Sequence, residues 1–488
     1  MATSPRPGQT TADLLREAAR AHPDREAYVH GDKRVTYAWL DRAADGFAAA
    51  LIDLGVTPGD VVCLLLPSSI KFAACYLGAL RAGAVTSAIN LRLGPTEQAS
   101  IIERTEPRVT VVGDGATVPA GVDAGHELPV TELGHALGAD PPPRLPDITP
   151  TDPACIVWTS GTTGAPKGAV YDHATMAVIS RNIGELTRPG DRRLVALPFP
   201  HVGYMTRMWD ELANGTTLVL VGEPWSAEET LRLVRDEGIT MATGVPTQWS
   251  LVLAHPDVER TDFSNLRVAA IGGAAIAPEL VRQMRKVLGC PVITRYTSTE
   301  AGVTTSTLAG DDDDTIANTV GRPAPEVELR IAGERGVALP DGEVGEVCCR
   351  SAAMFKGYWR EPEVAGVEPP VSVDGNLRIV GRLKEMYIRG GYNVYPAEVE
   401  GVLAEHPSVA RVAVVGVPDP VLGEIGVAFV VPAPGTTAPA LDPLRNWCRD
   451  RLADYKAPDR LEMVDDLPLT SMLKVDKRAL AARATEDA

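Results

Sequence analysis

The chain has 488 residues, of which 45% are hydrophobic and 23% are charged, a composition typical of soluble globular proteins. Because this length is too great for one hydrophobic core, we expect two or more domains. The formal net charge of −17 argues against nucleic acid or an anionic membrane surface as the main partner.

The N-terminal segment and the cysteines favour a cytoplasmic protein. Met1–Thr10 is polar, contains two prolines and lacks the apolar core of a secretory signal. No apolar run is long enough to span a bilayer. The seven cysteines are scattered without metal-ligand spacing, which suits reduced thiols. We therefore expect a cytoplasmic protein without a membrane span, and the sequence leaves a homodimer open.

The first 310 residues alternate between helical and strand patterns. Residues 11–113 predict helices at Thr11–His22 and Ile70–Ala82, with strands at Asp60–Leu66 and Gly83–Ile89. Residues 114–150 are rich in Gly, Pro and Asp and are predicted to be loop and edge structure, and residues 151–310 resume the alternation. This rhythm predicts an α/β fold with mostly parallel sheets covered by helices on both faces.

The character of the chain changes further on. The run Asp311–Asp314 is interpreted as a solvated loop, with metal binding as the minor alternative. Residues 318–380 are predicted to be β-rich, including a strand at Leu377–Val380. A compact α+β segment follows, so we predict a large N-terminal domain at 1–381 and a small C-terminal domain at 382–488.

A run of small hydroxyl residues, glycines and one lysine follows the apolar strand pattern Ala154–Trp158. Glycines allow the backbone to approach an anion, hydroxyl groups add donors, and a lysine supplies positive charge. The run does not fit the common P-loop pattern, yet a donor-rich loop leaving a strand is suited to phosphate. The candidate phosphate-binding residues are Thr159, Ser160, Gly161, Thr162, Thr163, Gly164 and Lys167.

Further motifs follow this loop in a fixed order. They are Leu197–Gly203, Gly272–Ala274, Tyr296–Glu300, Gly381–Met386, Arg389–Glu400 and Leu467–Lys474. Together with the phosphate loop, they resemble the superfamily of adenylate-forming enzymes, which includes acyl-CoA synthetases, peptide-synthetase adenylation domains and luciferases. The resemblance covers nearly the whole chain and is strongest to the acyl-CoA ligases.

The resemblance implies a small-molecule carboxylic acid substrate, two half-reactions and a mobile small domain that acts as a lid and carries the catalytic lysine. A carboxylate attacks the α-phosphate of Mg-ATP, giving an acyl-adenylate and pyrophosphate, and the thiol of coenzyme A then attacks the adenylate. ATP, Mg²⁺ and coenzyme A are therefore the expected cofactors. Two alternatives stay open. One is an adenylating enzyme with another acceptor, either a carrier-protein thiol or an aryl amine diazotised by activated nitrite. The other is a catalytically impaired nucleotide-binding homologue.

Four residues are implied as catalytic. Lys474 matches the lysine that contacts the carboxylate and the α-phosphate, where a cation stabilises the developing charge. His201 matches a position between the acyl pocket and the thiol tunnel. Glu300 would bind Mg²⁺, which prefers oxygen ligands. Arg382 would reach the ribose or a phosphate, whereas the nearby Lys477 is predicted to be a solvated lysine.

The remaining candidate residues would contact the nucleotide or coenzyme A, or form the hinge. Lys384 occupies the hinge position, and Gly390 and Gly391 lie in a segment that would face coenzyme A. The residues expected around adenine and the phosphates are Gly272, Gly273, Ala274, Tyr296, Thr297, Ser298 and Thr299.

Three positions depart from the pattern of the superfamily. Val367 stands where an aspartate normally accepts hydrogen bonds from both ribose hydroxyls, although Glu368 or Asp374 could substitute. Leu473 replaces the usual glycine before the lysine, and Thr297 replaces the glycine after Tyr296.

The acid itself is not predicted. Tyr204, Trp209 and Trp249 suit an aromatic acid, but helix-spaced aromatic residues are more often core. Arg207 is interpreted as a surface charge, with pairing to a second carboxylate of the substrate as the alternative.

Overall fold

A computed structural model describes residues 8–141, 144–159, 166–333, 336–361, 375–380, 382, 385–390 and 392–486. Its helices are α1 (Thr11–Ala21), α2 (Tyr37–Asp53), α3 (Ile70–Arg81), α4 (Pro95–Thr105), α5 (Leu133–Leu137), α6 (His173–Ile183), α7 (Val202–Met205), α8 (Met208–Asn214), α9 (Ala227–Asp236), α10 (Pro246–Leu253), α11 (Pro278–Leu288), α12 (Asp313–Asn318), α13 (Pro396–Ala404), α14 (Leu441–Arg449) and α15 (Lys477–Glu486).

The strands belong to four sheets. They are β1 (Glu26–His30), β2 (Lys33–Thr36), β3 (Val61–Leu65), β4 (Val85–Ala88), β5 (Val109–Val112), β6 (His126–Pro129), β7 (Pro153–Thr159), β8 (Lys167–Asp172), β9 (Arg192–Val195), β10 (Thr217–Leu220), β11 (Met241–Gly244), β12 (Val268–Gly272), β13 (Val292–Ser298), β14 (Gly302–Ser306), β15 (Arg322–Pro323), β16 (Val327–Ala332), β17 (Glu346–Ser351), β18 (Tyr387–Arg389), β19 (Tyr392–Val394), β20 (Val409–Asp419), β21 (Gly423–Pro432) and β22 (Arg460–Met463).

Two parallel-rich sheets build the large domain, as the alternating pattern predicts. One has the order β6-β5-β3-β4-β7-β8 and the other has the order β15-β14-β13-β12-β11-β9-β10-β1-β2. Antiparallel pairing is confined to the ends of these sheets, at β7–β8, β1–β2, β13–β14 and β14–β15. The parallel pairing in the rest of each sheet is made possible by crossover helices, because each of them returns the chain to the end of the sheet where the previous strand began.

Strand β3 shows why its sheet is covered on both faces. Val62 and Leu64 pack into the core shared by the two sheets, whereas Val61, Cys63 and Leu65 pack into a separate cluster on the opposite face. Successive side chains of a strand point to opposite faces, so a strand buried on both faces must be apolar throughout. The continuous apolar run that the sequence shows at residues 61–65 therefore has its expected environment.

The small domain is built on a long antiparallel hairpin. Strands β20 and β21 pair along their length, β18 and β22 flank β21, and β19 pairs with β18. Helices α13 and α14 pack on one face, and α15 packs on the other through Leu480 and Ala484. The α+β character predicted after residue 381 is thus present. The boundary itself stays a prediction, because Gly381 lies outside the described residues.

Two local predictions require correction. Leu377–Val380 forms no strand: Leu377 exchanges two backbone hydrogen bonds with Val320 and Gly321, and the pairing continues no further among the described residues. The run Asp311–Asp314 is more than a solvated loop, since the Asp312 side chain caps α12 by accepting from the backbone amide of Thr315 at 2.9 Å. Aspartate is favoured at a helix N-cap because its carboxylate satisfies a free amide donor.

Arg207 is buried, so its interpretation as a surface charge was wrong. Its guanidinium pairs with Asp210, lies 3.7 Å from Glu211 and donates to the Thr187 hydroxyl at 2.8 Å. Glu211 also pairs with the buried Arg193, which donates to the Gly203 carbonyl at 3.0 Å. These partners are carboxylates of the protein itself. Asp210 and Glu211 follow Arg207 by three and four positions, but this spacing alone does not show that the tertiary structure buries the group.

Among the described residues, no helix is both long and apolar enough to cross a bilayer.

We predict that Glu211→Gln destabilises the large domain by about 3–5 kcal/mol, because Arg193 then remains buried with an uncompensated charge. Urea unfolding followed by fluorescence measures the change. Glu328→Gln is the matched control, since Glu328 pairs with the exposed Arg350 and its loss should cost less than about 1 kcal/mol. Equal losses of unfolding free energy in the two variants would contradict the assigned role of Glu211 as the counter-charge of Arg193.

Candidate active site

The candidate site forms where several parallel strands end. β13, β12, β11 and β9 are neighbours, and each pair is parallel. Their carboxyl ends therefore lie at one edge of the sheet, which is where α/β proteins bind ligands. This edge brings together the segments that lead to Glu300, Gly273, Val245 and His201, although they are far apart in the chain.

Gly272 and Gly273 end β12 in a conformation that requires glycine. A β-carbon on Gly272 would lie 2.8 Å from the Arg295 carbonyl oxygen, and Gly273 has φ +80°. A β-carbon on Gly273 would lie 3.8 Å from the ammonium nitrogen of Lys474. Ala274, which follows, is partly buried. Close approach of the backbone thus requires glycine at 272, and the positive φ favours glycine at 273, where Lys474 of the small domain meets the sheet edge.

The segment Tyr296–Glu300 leaves β13 through an irregular turn. The β13–β14 register shifts between Tyr296 and Thr297, so the threonine that replaces the usual glycine stands at a bulge. The Ser298 hydroxyl accepts from the Ala301 amide at 3.0 Å, and the Thr299 carbonyl accepts from the Tyr171 hydroxyl. Burial, followed by the nearby Cys349 thiol, raises the pKa of Tyr296. Its ring therefore presents a neutral surface at the sheet edge.

Tyr358 connects the candidate metal ligand to the phosphate-loop lysine, and sequence reasoning missed it. Its hydroxyl donates to the Glu300 carboxylate at 3.0 Å, and the Lys167 ammonium lies 4.8 Å from the centre of its ring. The residue is positioned by backbone bonds: the Phe355 amide donates to the Glu300 carbonyl, and the Trp359 amide donates to the Gly168 carbonyl. No local motif predicts this role, because Tyr358 is placed by backbone pairing with Ala169, nearly 200 positions earlier in the chain.

Lys167 also forms an ion pair that the sequence did not indicate. Its ammonium lies 3.1 Å from one carboxylate oxygen of Glu361, and Arg104 lies 3.5 Å from the other. Lys167 begins β8 opposite Thr159, whose hydroxyl donates to the Lys167 carbonyl at 3.3 Å. Thr159 and Lys167, at the two ends of the candidate phosphate loop, therefore lie opposite each other in the β7–β8 pair.

His201 is a neutral imidazole. It caps the short helix α7, with Nδ1 accepting from the Gly203 amide at 3.1 Å. Burial, and then the positive charge of Lys474, lower its pKa to about 3. Because Nδ1 accepts, the proton of the neutral ring resides on Nε2. The side chain can therefore donate one hydrogen bond without carrying charge.

Lys474 reaches the site from the small domain. It follows a tight loop in which the Thr470 amide donates to the Lys474 carbonyl at 2.7 Å and the Leu473 amide donates to the Thr470 carbonyl at 3.0 Å. Burial, and then the positive charge of Arg382, lower the pKa of Lys474 to about 8. Within the described residues, no carboxylate forms an ion pair with this ammonium group. The lysine is thus a desolvated cation available to an anionic ligand.

The loop before Lys474 explains why glycine is the usual residue at position 473. Leu473 has φ +58°, in the left-handed region that side chains disfavour, and its side chain is buried. Burial of an apolar side chain offsets part of that conformational cost. Its neighbour Met472 approaches the large domain, with its sulfur 3.6 Å from the amide nitrogen of Asn90.

Other predicted residues lie in the small domain or near its start. Arg382 is largely exposed and pairs with Glu385 at 3.3 Å, although its charge still acts on Lys474. Gly390 has φ +57° and donates to the Leu422 carbonyl at 2.8 Å, so its described contacts stay within the small domain. Lys477 is not solvated as predicted: its ammonium pairs with Glu400 at 2.7 Å and with Glu385 at 3.3 Å.

Some predicted positions lie outside the described residues. They are Ser160, Gly161, Thr162, Thr163, Gly164, Val367, Glu368, Asp374, Lys384 and Gly391.

Tyr204, Trp209 and Trp249 are buried core side chains, which is the more common role of helix-spaced aromatic residues. Tyr204 stacks on Phe199 with ring centres 3.5 Å apart, and the Trp249 indole donates to the Ala270 carbonyl at 3.1 Å. They therefore give no support to an aromatic acid.

Comparison with known proteins agrees with this geometry. Residues 15–359 match the family model of the AMP-binding enzyme, and residues 398–474 match that of the AMP-binding enzyme C-terminal domain. Among solved structures, ATP-bound MatB from Rhodopseudomonas palustris superposes with a TM-score of 0.86 at 28% identity, covering 98% of this chain and 100% of that one.

Three relatives extend along the whole chain. The 3-[(3aS,4S,7aS)-7a-methyl-1,5-dioxo-octahydro-1H-inden-4-yl]propanoyl:CoA ligase of Rhodococcus jostii (strain RHA1) is 35% identical, over 96% of this chain and 98% of the relative. The feruloyl-CoA synthase of an Amycolatopsis species is 34% identical, over 95% and 97%. The fatty acid–acyl-carrier-protein ligase ScoC of Streptomyces coeruleorubidus is 32% identical, over 97% and 96%. The chain therefore belongs to the AMP-binding enzyme family within the adenylate-forming superfamily, and it is an AMP-forming ligase of the acyl-CoA synthetase type.

Proposed function

We propose that this protein activates a small-molecule carboxylic acid with Mg-ATP to give an acyl-adenylate and pyrophosphate, and then transfers the acyl group to the thiol of coenzyme A. The observation that carries the proposal is the position of Lys474 beside Gly273 at the carboxyl edge of the nine-stranded sheet. Lys474 is a partly buried cation with no carboxylate partner among the described residues, so it is suited to an anion. In the proposed reaction, two anionic groups, a carboxylate and a phosphate, must be brought together.

The residues of this chain have distinct roles in the proposed first step. Lys474 neutralises charge between the acid and the α-phosphate, which lowers the repulsion that opposes attack. Arg382 adds positive charge from the start of the small domain. His201, held neutral, orients the acid by a hydrogen bond from Nε2 without attracting a second anion. Tyr296 and the glycines at the end of β12 give the adenine a flat, apolar seat.

Glu300 is suited to magnesium that arrives with the nucleotide. Magnesium commonly takes one or two carboxylates, with substrate phosphates and water completing its coordination. Glu300 supplies one carboxylate, oriented by Tyr358, and the described residues contain no cluster of three or more His, Cys, Asp or Glu that could form a complete metal cage. Magnesium bound there would neutralise phosphate charge.

Transfer to a carrier-protein thiol is the second candidate, favoured by the similarity to a fatty acid–acyl-carrier-protein ligase. Incubation with ATP, Mg²⁺ and a panel of acids, with either coenzyme A or a phosphopantetheinylated carrier protein, distinguishes the two acceptors. We expect AMP release and a coenzyme A thioester with at least one acid. Thioester formed on the carrier protein alone would replace the first proposal with the second, and no adenylate from any acid would contradict both.

Lys474→Ala is expected to slow adenylation by about 10²–10³-fold, the usual cost of removing a group that stabilises developing charge. Thioester formation from preformed acyl-AMP should change much less, because the lysine is assigned only to the first step. Quench-flow measurement of pyrophosphate release and of thioester formation separates the two steps. Arg478→Ala, an exposed cation in the same segment, is the control, and equal losses in both steps for Lys474→Ala would disprove the assignment.

The pH dependence of adenylation should follow the ammonium group of Lys474. The kcat/KM for ATP reports the free enzyme, so it should fall as the pH rises through about 8, where Lys474 loses its proton. His201 does not contribute to this limb, because its pKa of about 3 leaves it neutral throughout. Arg382→Gln should move the limb to higher pH, because it removes a charge that depresses the pKa of Lys474. If the pH at which kcat/KM falls stays the same or decreases in Arg382→Gln, the assigned effect of Arg382 on the pKa of Lys474 is contradicted.

A further inference from the structure

Glu361 lies where a phosphate of the nucleotide would be expected to meet Lys167. One of its carboxylate oxygens is 3.1 Å from the Lys167 ammonium, and the other is 3.5 Å from the Arg104 guanidinium. A carboxylate that bridges two cations in this way places two negatively charged oxygens where two oxygens of a phosphate group could bind. The pair is partly open to solvent, since the Lys167 and Glu361 side chains are 41% and 28% exposed.

The surrounding structure holds both members of this pair in place. The Glu361 amide donates to the Tyr358 carbonyl at 3.1 Å, which forms a turn directly after the segment that pairs with β8. The Tyr358 ring lies 4.8 Å from the Lys167 ammonium, and its hydroxyl bonds Glu300. Glu361 and Tyr358 therefore hold Lys167 near the candidate magnesium ligand.

We infer that Glu361 is a resident counter-ion that the nucleotide phosphates must displace from Lys167, so that it weakens binding of ATP and pyrophosphate and favours release of pyrophosphate. The inference rests on the proposed function for the identity of the anion. An exposed ion pair contributes little to stability, so it can be exchanged for a more highly charged phosphate at small cost. Because the chain has a net charge of −17, other carboxylates could compete for Lys167. The pair with Glu361 keeps the lysine oriented toward the site instead.

The test is calorimetric binding of Mg-ATP, and separately of inorganic pyrophosphate, to the full-length protein without acid or coenzyme A. Glu361→Gln should lower both dissociation constants by about two- to five-fold, the range that corresponds to one exposed ion pair. Glu106→Gln is the matched control, because it removes the same charge from a nearby carboxylate. Glu106 pairs at 2.5 Å with Arg360, the residue before Glu361, and not with Lys167. We expect its dissociation constants to equal those of the wild type.

A second comparison shows whether the effect acts through Lys167. In a Lys167→Gln background, adding Glu361→Gln should give no gain in affinity, because the lysine that it neutralises is absent. Unchanged or weaker binding in the single variant would overturn the inference, and so would the same gain without Lys167. Wild-type protein that binds no ATP would overturn the proposed function as well, whereas an ATP-binding wild type with an unaffected Glu361→Gln variant would overturn this inference alone.

Discussion

The proposed site depends first on the Lys474 ammonium, which the small domain places against the carboxyl edge of the nine-stranded sheet. A charged amine loses favourable hydration when it is buried, and this loss, with the repulsion from Arg382, holds its pKa near 8. The side chain lies against Gly273, where the backbone φ of +80° favours glycine. Among the described residues this ammonium has no carboxylate partner, and under the proposed function an anionic ligand would supply the counter-charge.

The other cations near the site have protein counter-ions. Lys167 pairs with Glu361, Arg382 with Glu385, and Lys477 with Glu385 and Glu400. Such exposed or half-exposed pairs are weak and exchangeable, in contrast to the fully buried pairing of Arg193 with Glu211 behind the site. The protein thus combines a rigid buried charge network that supports the β9–α7 segment with exchangeable pairs where a ligand is expected to arrive.

Helices, strands and the order of motifs could be predicted because each depends on local chemistry. The buried strand at residues 61–65 follows from its continuous apolar run, and the helix Ile70–Arg81 follows from its side-chain spacing and a serine N-cap. Failures occurred where tertiary packing decides the outcome. Arg207 and Lys477 were expected at the surface, yet each has carboxylate partners. Leu377–Val380 has the composition of a strand, but within the described part of the chain only Leu377 pairs with a neighbouring segment.

The sequence by itself determined the fold class, the family and the set of candidate residues, because those follow from periodicity and from motifs read in order. Only the tertiary structure decided which of the described candidates converge. Parallel strand ends bring His201, Gly273 and Glu300 to one edge, and the small domain adds Lys474. Tyr358 and Glu361 join them through backbone pairing with β8, a long-range contact that leaves no local mark in the sequence. At the predicted phosphate loop, the structure thus adds an ion pair at Lys167 that no motif contains.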